Sequence, residues 1–437
     1  MVAQNGLPLW RRGAALGSSV LALGMVAAAL LTAAAASSGP WTALTPIPIS
    51  SAAHATVWKV VASPSTPQDL AAATSRGVWV SSDDGQTWTA STLGQFSWTL
   101  AYGSSGSVLY AGTAHAGVFR STNSGVSWKA VNTGLKSLDV RTIATGPTAI
   151  VLGTQQGVYV SGDGTAWEQA GLSSLSISAV AITADTPLGV IAGSDETAQQ
   201  NNLYRSLSVG ADSGWQAVPG GDPGGAPVFS MAAGPVVKGG TTPPVLVGSL
   251  KGLYASADGG NTWQAQTLAG GALWSVNAIS FDPNNPTVIY VGGDNGGSTG
   301  GGLQRTVNGG GTWAAFQQGL PSPEVTGLSA LSTTPLTVLA SVWNPLRREG
   351  GEARALDTTA PGPVALRSSS GTPISVAVSP TPTPTTTPSH HHKKSSGGPA
   401  IPLGVLIAVI VVLILGGLFL TIYLRRRRQR LDAEAPP

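Results

Sequence analysis

The sequence contains no cysteine, which excludes disulfides, thiolate metal sites and thiol redox chemistry. Charge is sparse as well. Lys, Arg, Asp and Glu make up 10% of the 437 residues, and the net charge is +3. That excess sits at the two ends, in Arg11 and Arg12 and in Arg425, Arg426, Arg427, Arg428 and Arg430, so the chain between them is slightly acidic. A protein without a basic face has no electrostatic footprint for nucleic acid. Helical patterning is missing too: between Pro40 and Arg367 no stretch repeats its apolar residues every three to four positions.

Glycine is abundant, with 58 residues, and so is one short phrase, Ser-x-Asp-x-Gly-x-Thr-Trp. It is cleanest at Ser81, Asp83, Gly85, Thr87 and Trp88. It returns around Asn123 and Trp128, around Asp163 and Trp167 in a shortened form, around Asp258 and Trp263, and around Asn308 and Trp313. A degraded copy holds Ser206, Asp212, Gly214 and Trp215. Successive tryptophans lie 39 to 50 residues apart, and such a period means one structural unit copied several times. Most copies follow a β-branched and aromatic run such as Gly77-Val78-Trp79-Val80, which reads as a strand. The phrase then reads as a hairpin turn, its Asp bonding nearby main-chain N–H groups and its Gly taking positive φ.

Two further short strands precede each such pair; in the first unit they are expected at Val57–Ala62 and Asp69–Thr74. Four strands per unit of this length make one propeller blade. The first strands begin at Trp58-Lys59, Trp98-Thr99, Val140-Arg141, Ile177-Ser178, Phe229-Ser230, Trp274-Ser275 and Val325-Thr326. These are seven starts for six phrases. Because Trp41-Thr42-Ala43-Leu44 resembles Trp88-Thr89-Ala90-Ser91, the N-terminal strand is expected to complete the seventh blade. The fold class is therefore all-β, a seven-bladed β-propeller, with six blades and an irregular extension as the alternative.

The phrases resemble the Asp-box, or bacterial neuraminidase repeat. It is shared by sialidases, sortilin-type receptors, some xyloglucan hydrolases and the photosystem II stability/assembly factor-like proteins. The run GVWVSSDDGQTWTA is most similar to that last group and to sortilin-like bacterial propellers. The resemblance implies a propeller whose box turns lie away from its active face. It does not single out an activity, because unrelated functions share the repeat.

The chain ends carry topology. Residues 1–36 read as a signal peptide or N-terminal anchor, with an apolar run behind Arg11 and Arg12 and small residues at Ala34 and Ala36. Residues 40–367 form the propeller. Residues 368–399 form a Pro/Ser/Thr-rich stalk that contains His390, His391 and His392, read as solvated linker rather than as a metal site. Residues 401–424 contain no charge and are long enough to span a bilayer. The basic stretch in 425–437 then places the tail in the cytoplasm and the propeller outside the plasma membrane.

Repetition argues that Asp83, Asp163 and Asp258 shape turns, since a catalytic residue need occur only once. A sialidase would need an arginine triad and an Arg-Ile-Pro element ahead of the first box, and none is present; Arg120, Arg205 and Arg305 sit at matching points of their units, as structural residues would. For another glycosidase the best carboxylate pair is Asp139 and Glu324, just before the inner strands of the third and seventh units. The funnel at the inner-strand starts is the remaining place for function. There Trp58, Trp98, Phe229 and Trp274 stand beside Lys59 and Arg141, suited to stacking on sugars or peptide side chains and to pairing with carboxylates. The expected function is non-catalytic protein or glycan binding, or assembly, without metal or cofactor. A sialidase-like or other glycoside hydrolase is the alternative.

Overall fold

The computed structural model describes residues 39–49, 55–185, 187–196, 201–209, 214–218, 223, 225–270, 275–294, 302–344 and 349–367. The expected signal segment, stalk, transmembrane segment and tail lie outside the described residues, as do Asp212 and Trp274.

Seven four-stranded antiparallel sheets follow one another around a ring. Six of them are built in sequence order from the inner to the outer strand. The first comprises Val57–Ala62, Leu70–Thr74, Gly77–Ser81 and Thr89–Ala90. The seventh takes Glu324–Leu331, Leu336–Asn344 and Glu349–Asp357 from one end of the chain and Trp41–Ala43 from the other. Trp41 lies opposite Ala355 and Ala43 opposite Ala353. The ring thus has seven blades, closed by the N-terminal strand as the likeness between Trp41-Thr42-Ala43 and Trp88-Thr89-Ala90 predicts.

The core lies between the blades. Each of its seven apolar clusters joins residues of two neighbouring sheets, such as Val151, Val158 and Val190 across the third and fourth. Second strands are covered on both faces, and Leu70–Thr74, Leu109–Thr113, Ile150–Thr154 and Val245–Ser249 are buried at every residue. This is why they read as continuous small and apolar runs rather than as alternating ones. Close approach fixes one glycine in most of them. A Cβ on Gly248 would stand 2.4 Å from the Val276 carbonyl oxygen, and one on Gly112 would stand 2.6 Å from that of Val140, both in the next blade. A Cβ on Gly153 would come similarly close to Ile177 of the next blade, and those on Gly193 and Gly292 to the side chains of Val228 and Val325.

The repeated phrase is a turn closed by its own side chains. Ser81 Oγ donates to Asp83 Oδ1 at 2.8 Å and accepts from the Gly85 N–H at 2.9 Å. Asp83 Oδ1 accepts from the Thr87 N–H at 2.8 Å, and Oδ2 accepts from Thr87 Oγ1 at 2.7 Å. Gly85 has φ of 80°, a value that glycine alone adopts without strain. Asn123 and Asn308 hold the same turn in their copies, each accepting through Oδ1 and donating through Nδ2 to the Ser127 or Thr312 hydroxyl. The tryptophan that ends the phrase reaches the preceding blade. Trp88 Nε1 donates to Thr45 O, Trp167 Nε1 to Val131 O and Trp215 Nε1 to Ala170 O. Trp128 Nε1 turns back to Gly125 O, whereas the buried Nε1 atoms of Trp263 and Trp313 have no partner.

Arginines at matched points of the third strands clamp the next blade. Arg205 reaches Asn261, Arg305 reaches Asp357, and Arg354 pairs with Asp84 at 2.5 Å. This bears out the structural reading of Arg205 and Arg305. After the last blade strand, the chain is stitched to hairpin loops of the sixth and fifth blades. Val364 N–H donates to Asn284 O, Lys238 N–H to Ala365 O and Arg367 N–H to Val236 O.

Candidate functional site: a ring of bulged residues at the funnel mouth

Strand register separates the two faces of the ring. In the first blade Val57 lies opposite Thr74 and Thr74 opposite Gly77, while Ala62 lies opposite Leu70 and Leu70 opposite Ser81. The inner-strand starts therefore open on the face opposite the repeated turns, as expected. The C-terminal segment 358–367 is bonded to loops on the turn face, so among the described residues it does not cross the funnel.

Every inner strand carries a β-bulge at the same place. The register slips between Val57 and Lys59, Ser97 and Thr99, Val140 and Thr142, Ile177 and Ala179, Val228 and Ser230, Val276 and Ala278, and Val325 and Gly327. A bulge leaves one residue out of the ladder and re-aims its side chain. The seven residues so released are Trp58, Trp98, Arg141, Ser178, Phe229, Asn277 and Thr326. Together with Asp195 they line a cavity of about 520 Å³ at the centre of the funnel.

Of the residues singled out in the sequence, Trp58, Trp98, Arg141 and Phe229 meet here. Lys59 lies one step deeper, in a narrower throat of about 140 Å³. In the sixth blade the bulged residue is Asn277, and the segment 271–274 with Trp274 is outside the described residues. Sequence alignment set that blade three residues too early, because a tryptophan ahead of the strand imitates the start seen in the first two blades. It also passed over Asp195, which follows the second strand of the fourth blade and bears no repeat signature.

The wall is divided by chemistry. One side is aromatic: the rings of Trp58 and Trp98 lie 5.0 Å apart, and Phe96 backs Trp98 at 4.4 Å. The adjoining side is a chain of charges. Trp98 Nε1 donates to Asp139 Oδ1 at 3.1 Å, Asp139 Oδ2 lies 3.8 Å from Arg141 Nε, and Arg141 NH1 meets Asp195 Oδ2 at 2.7 Å. The hydroxyls of Ser178 and Thr326 donate to Val228 O and Val57 O of the next inner strands. Burial lowers the pKa of Lys59, and among the described residues no hydrogen bond or ion pair offsets it.

The two candidate carboxylates, Asp139 and Glu324, do not line the cavity. Asp139 is held by Trp98 and Arg141. Glu324 opens the seventh inner strand opposite Trp343, and burial, followed by the charge of Asp294, raises its pKa. Asp83, Asp163 and Asp258 lie on the far face. Thr87 and Ser81 hold Asp83 at a pKa of about 2; for Asp163 and Asp258 burial works against ionisation, but the bonds of the turn outweigh it and the pKa is again about 2. Among the described residues no group of three or more His, Asp or Glu side chains is placed to hold a metal ion.

No family model matches the chain, and no curated protein matches it. Solved structures do. YCF48 from Cyanidioschyzon merolae superposes with a TM-score of 0.51 at 15% identity, covering 72% of this chain and 98% of that one. A structure of YCF48 bound to a D1 peptide gives 0.52 at 15%, covering 74% and 98%. The extracellular domain of the one-component system BT4673 from B. thetaiotaomicron gives 0.52 at 15%, and the GH74 xyloglucanase from Xanthomonas campestris gives 0.50 at 17%; each covers 71% of this chain. The match spans 40% of the BT4673 domain and 55% of the xyloglucanase. At these identities the likeness is one of fold.

Proposed function

We propose that this chain is a membrane-tethered, extracytoplasmic propeller that binds a segment of another protein in its funnel, without catalysis. The observation that carries the reading is the ring of bulged residues. Seven blades release one side chain each into a single cavity, and three of those side chains are large aromatics beside an ion pair. Concave sites with apolar walls and a few convergent polar groups are where ligands bind, and buried Trp and Arg dominate protein recognition. A propeller of this fold bound to a peptide and another that is an extracellular domain support the choice. The membrane tether rests on the uncharged run 401–424 and the arginines behind it.

Peptides displayed on phage and selected on the full-length protein test this reading. Selected peptides are expected to lose at least about tenfold in affinity on Trp58→Ala or Phe229→Ala. Peptides that bind wild type and both variants equally would place recognition outside the funnel.

Glycoside hydrolysis is the second reading. The GH74 likeness and the raised pKa of Glu324, a property of general acids, favour it. Against it, Asp195 is the one carboxylate lining the cavity among the described residues, and it is paired with Arg141. Turnover of sialosides or β-glucans that disappears in Asp139→Asn or Glu324→Gln would establish this second reading over the first.

A further inference from the structure

The throat beneath the bulged ring has a composition of its own. At the position after each bulge stand Thr99, Thr142, Ala179, Ser230, Ala278 and Gly327, all small, and in the first blade Lys59. Lys59 is therefore the one long side chain among these seven matched positions, in a throat also lined by Arg141 and the aromatics of the bulged ring above and by Met231, Ile279 and Leu328. Below it the wall mixes Ile143, Val180, Met231, Ile279 and Leu328 with Ser63, Thr145, Ser280 and Ser329. Above it Arg141 is already neutralised by Asp195 at 2.7 Å.

Lys59 has no carboxylate or carbonyl partner among the described residues, and its lowered pKa records a charge that burial disfavours. Beside it in sequence, Trp58 Nε1 is shut off from solvent and lacks an acceptor among the described residues, so it is not offered to the throat. Lys59 is only half-buried and lines the throat, so its ammonium is open to a ligand there. The nearby hydroxyls are engaged elsewhere: Ser230 and Thr326 donate to Val276 O and Val57 O. What the site lacks is an anionic acceptor.

We propose that the throat is a subsite for one carboxylate, carried into the channel by an acidic peptide segment and received by Lys59 Nζ. The proposal rests on the reading of the funnel as a peptide-binding site. One unpaired cation and a volume of about 140 Å³ suit a singly charged group on a short stem better than a dianionic phosphate. An acidic side chain and a chain-terminal carboxylate share this chemistry, and the aromatic wall above would hold the flanking apolar residues.

The test uses three peptides and the full-length protein, with binding followed by tryptophan fluorescence and calorimetry. The first is acetyl-Phe-Gly-Glu-Gly-Phe amide. The second is acetyl-Phe-Gly-Gln-Gly-Phe with a free C-terminal carboxylate, and the third is the same Gln peptide as the amide. At least one acidic peptide is expected to bind about tenfold more tightly than the neutral one, the gain of one charge-assisted hydrogen bond. Which of the two it is identifies the source of the carboxylate. Lys59→Met is expected to abolish the preference, and Lys59→Arg is expected to retain it. Equal binding of all three peptides, no binding of any, or a preference that survives Lys59→Met overturns the subsite. Equal binding that is still lost in Trp58→Ala overturns the subsite alone and leaves the funnel reading standing, so the two failures are distinct.

Discussion

The indole N–H of Trp41 donates to the main-chain carbonyl of Phe316, 275 positions away, at 2.5 Å. Phe316 lies three residues beyond Trp313, as Val131 lies three beyond Trp128 and Ala170 three beyond Trp167. Trp41 therefore plays in the seventh blade the part that Trp88, Trp167 and Trp215 play in theirs, although the phrase that should precede it is absent. Its ring stands edge-on to Phe316 and is 1% exposed.

Replacing this anchor should open the ring at its closure. Trp41→Ala is expected to cost about 3–5 kcal/mol, the usual loss for a buried tryptophan. Trp128→Ala should cost less, because that indole is only half-buried and bonds within its own turn. Denaturant unfolding of the two variants side by side measures the difference.

The turn aspartates should tolerate replacement by asparagine. Asn308 already accepts from the Thr312 N–H at 2.9 Å and from Thr306 Oγ1 at 2.8 Å, with the geometry that Asp258 uses. Asp258→Asn is therefore expected to be nearly neutral at pH 7, and Asp258→Ala to lose about 1–2 kcal/mol through its broken hydrogen bonds. The pKa of Asp258 is depressed from 3.8 to about 2. Its contribution to stability is complete above pH 3.8 and fades as the pH falls through about 2. Thermal melts between pH 5 and pH 2 should show a shallower acid-side loss in Asp258→Asn than in wild type.

Glu352 should make the closure seam sensitive to alkali. It is 2% exposed in the third strand of the seventh blade, opposite Ser341, and among the described residues neither carboxyl oxygen finds a partner outside its own residue. Burial raises its pKa from 4.5 to about 8. A protein that holds this proton in the folded state is destabilised as the unfolded state gives it up. Stability is complete below pH 4.5 and declines as the pH rises through about 8, by at most about 1.4 kcal/mol per pH unit. Glu352→Gln is expected to flatten this slope and to raise the melting temperature at pH 8; an unchanged slope would show that Glu352 does not control it.

The interblade glycines should resist substitution even by alanine. In Gly248→Ala the new methyl would stand 2.3 Å from Ser230 Oγ and 2.4 Å from Val276 O, and Val276 begins the next inner strand with no room to retreat. Overpacking of this kind costs about 1–3 kcal/mol or more. At the matched point of the first blade an alanine, Ala73, is already accommodated, so Ala73→Gly should be mild by comparison. Equal melting temperatures for the two variants would contradict the close-approach argument.

The fold was legible because it is repeated. Asp83, Asp163 and Asp258 recur with a serine two residues before and a tryptophan four or five after, and any single copy would have been an ordinary turn. Closure was legible for the same reason, since Trp41-Thr42-Ala43 is an outer strand with its tryptophan intact. The funnel was legible in Trp58, Trp98 and Phe229, where the bulged residue is large and aromatic. It was obscure in the sixth blade, where the bulge presents Asn277 and a tryptophan stands three residues earlier. Bulge position depends on main-chain register, which leaves little trace in residue type. Asp195 was invisible because it belongs to a loop, reaching Arg141 across 54 positions.

The arrangement of the seventh blade also bears on how the protein is made. Trp41, Thr42 and Ala43 leave the ribosome early, yet their partners Ala355, Arg354 and Ala353 are among the last propeller residues to be synthesised. No closed ring can form until translation has passed the strand Glu349–Asp357. Through most of synthesis the first segment must wait unpaired, with the first blade's inner face uncovered on one side. A chain cut short before residue 349 would keep that state permanently, so chaperones and proteases have a structural criterion for telling finished copies from incomplete ones.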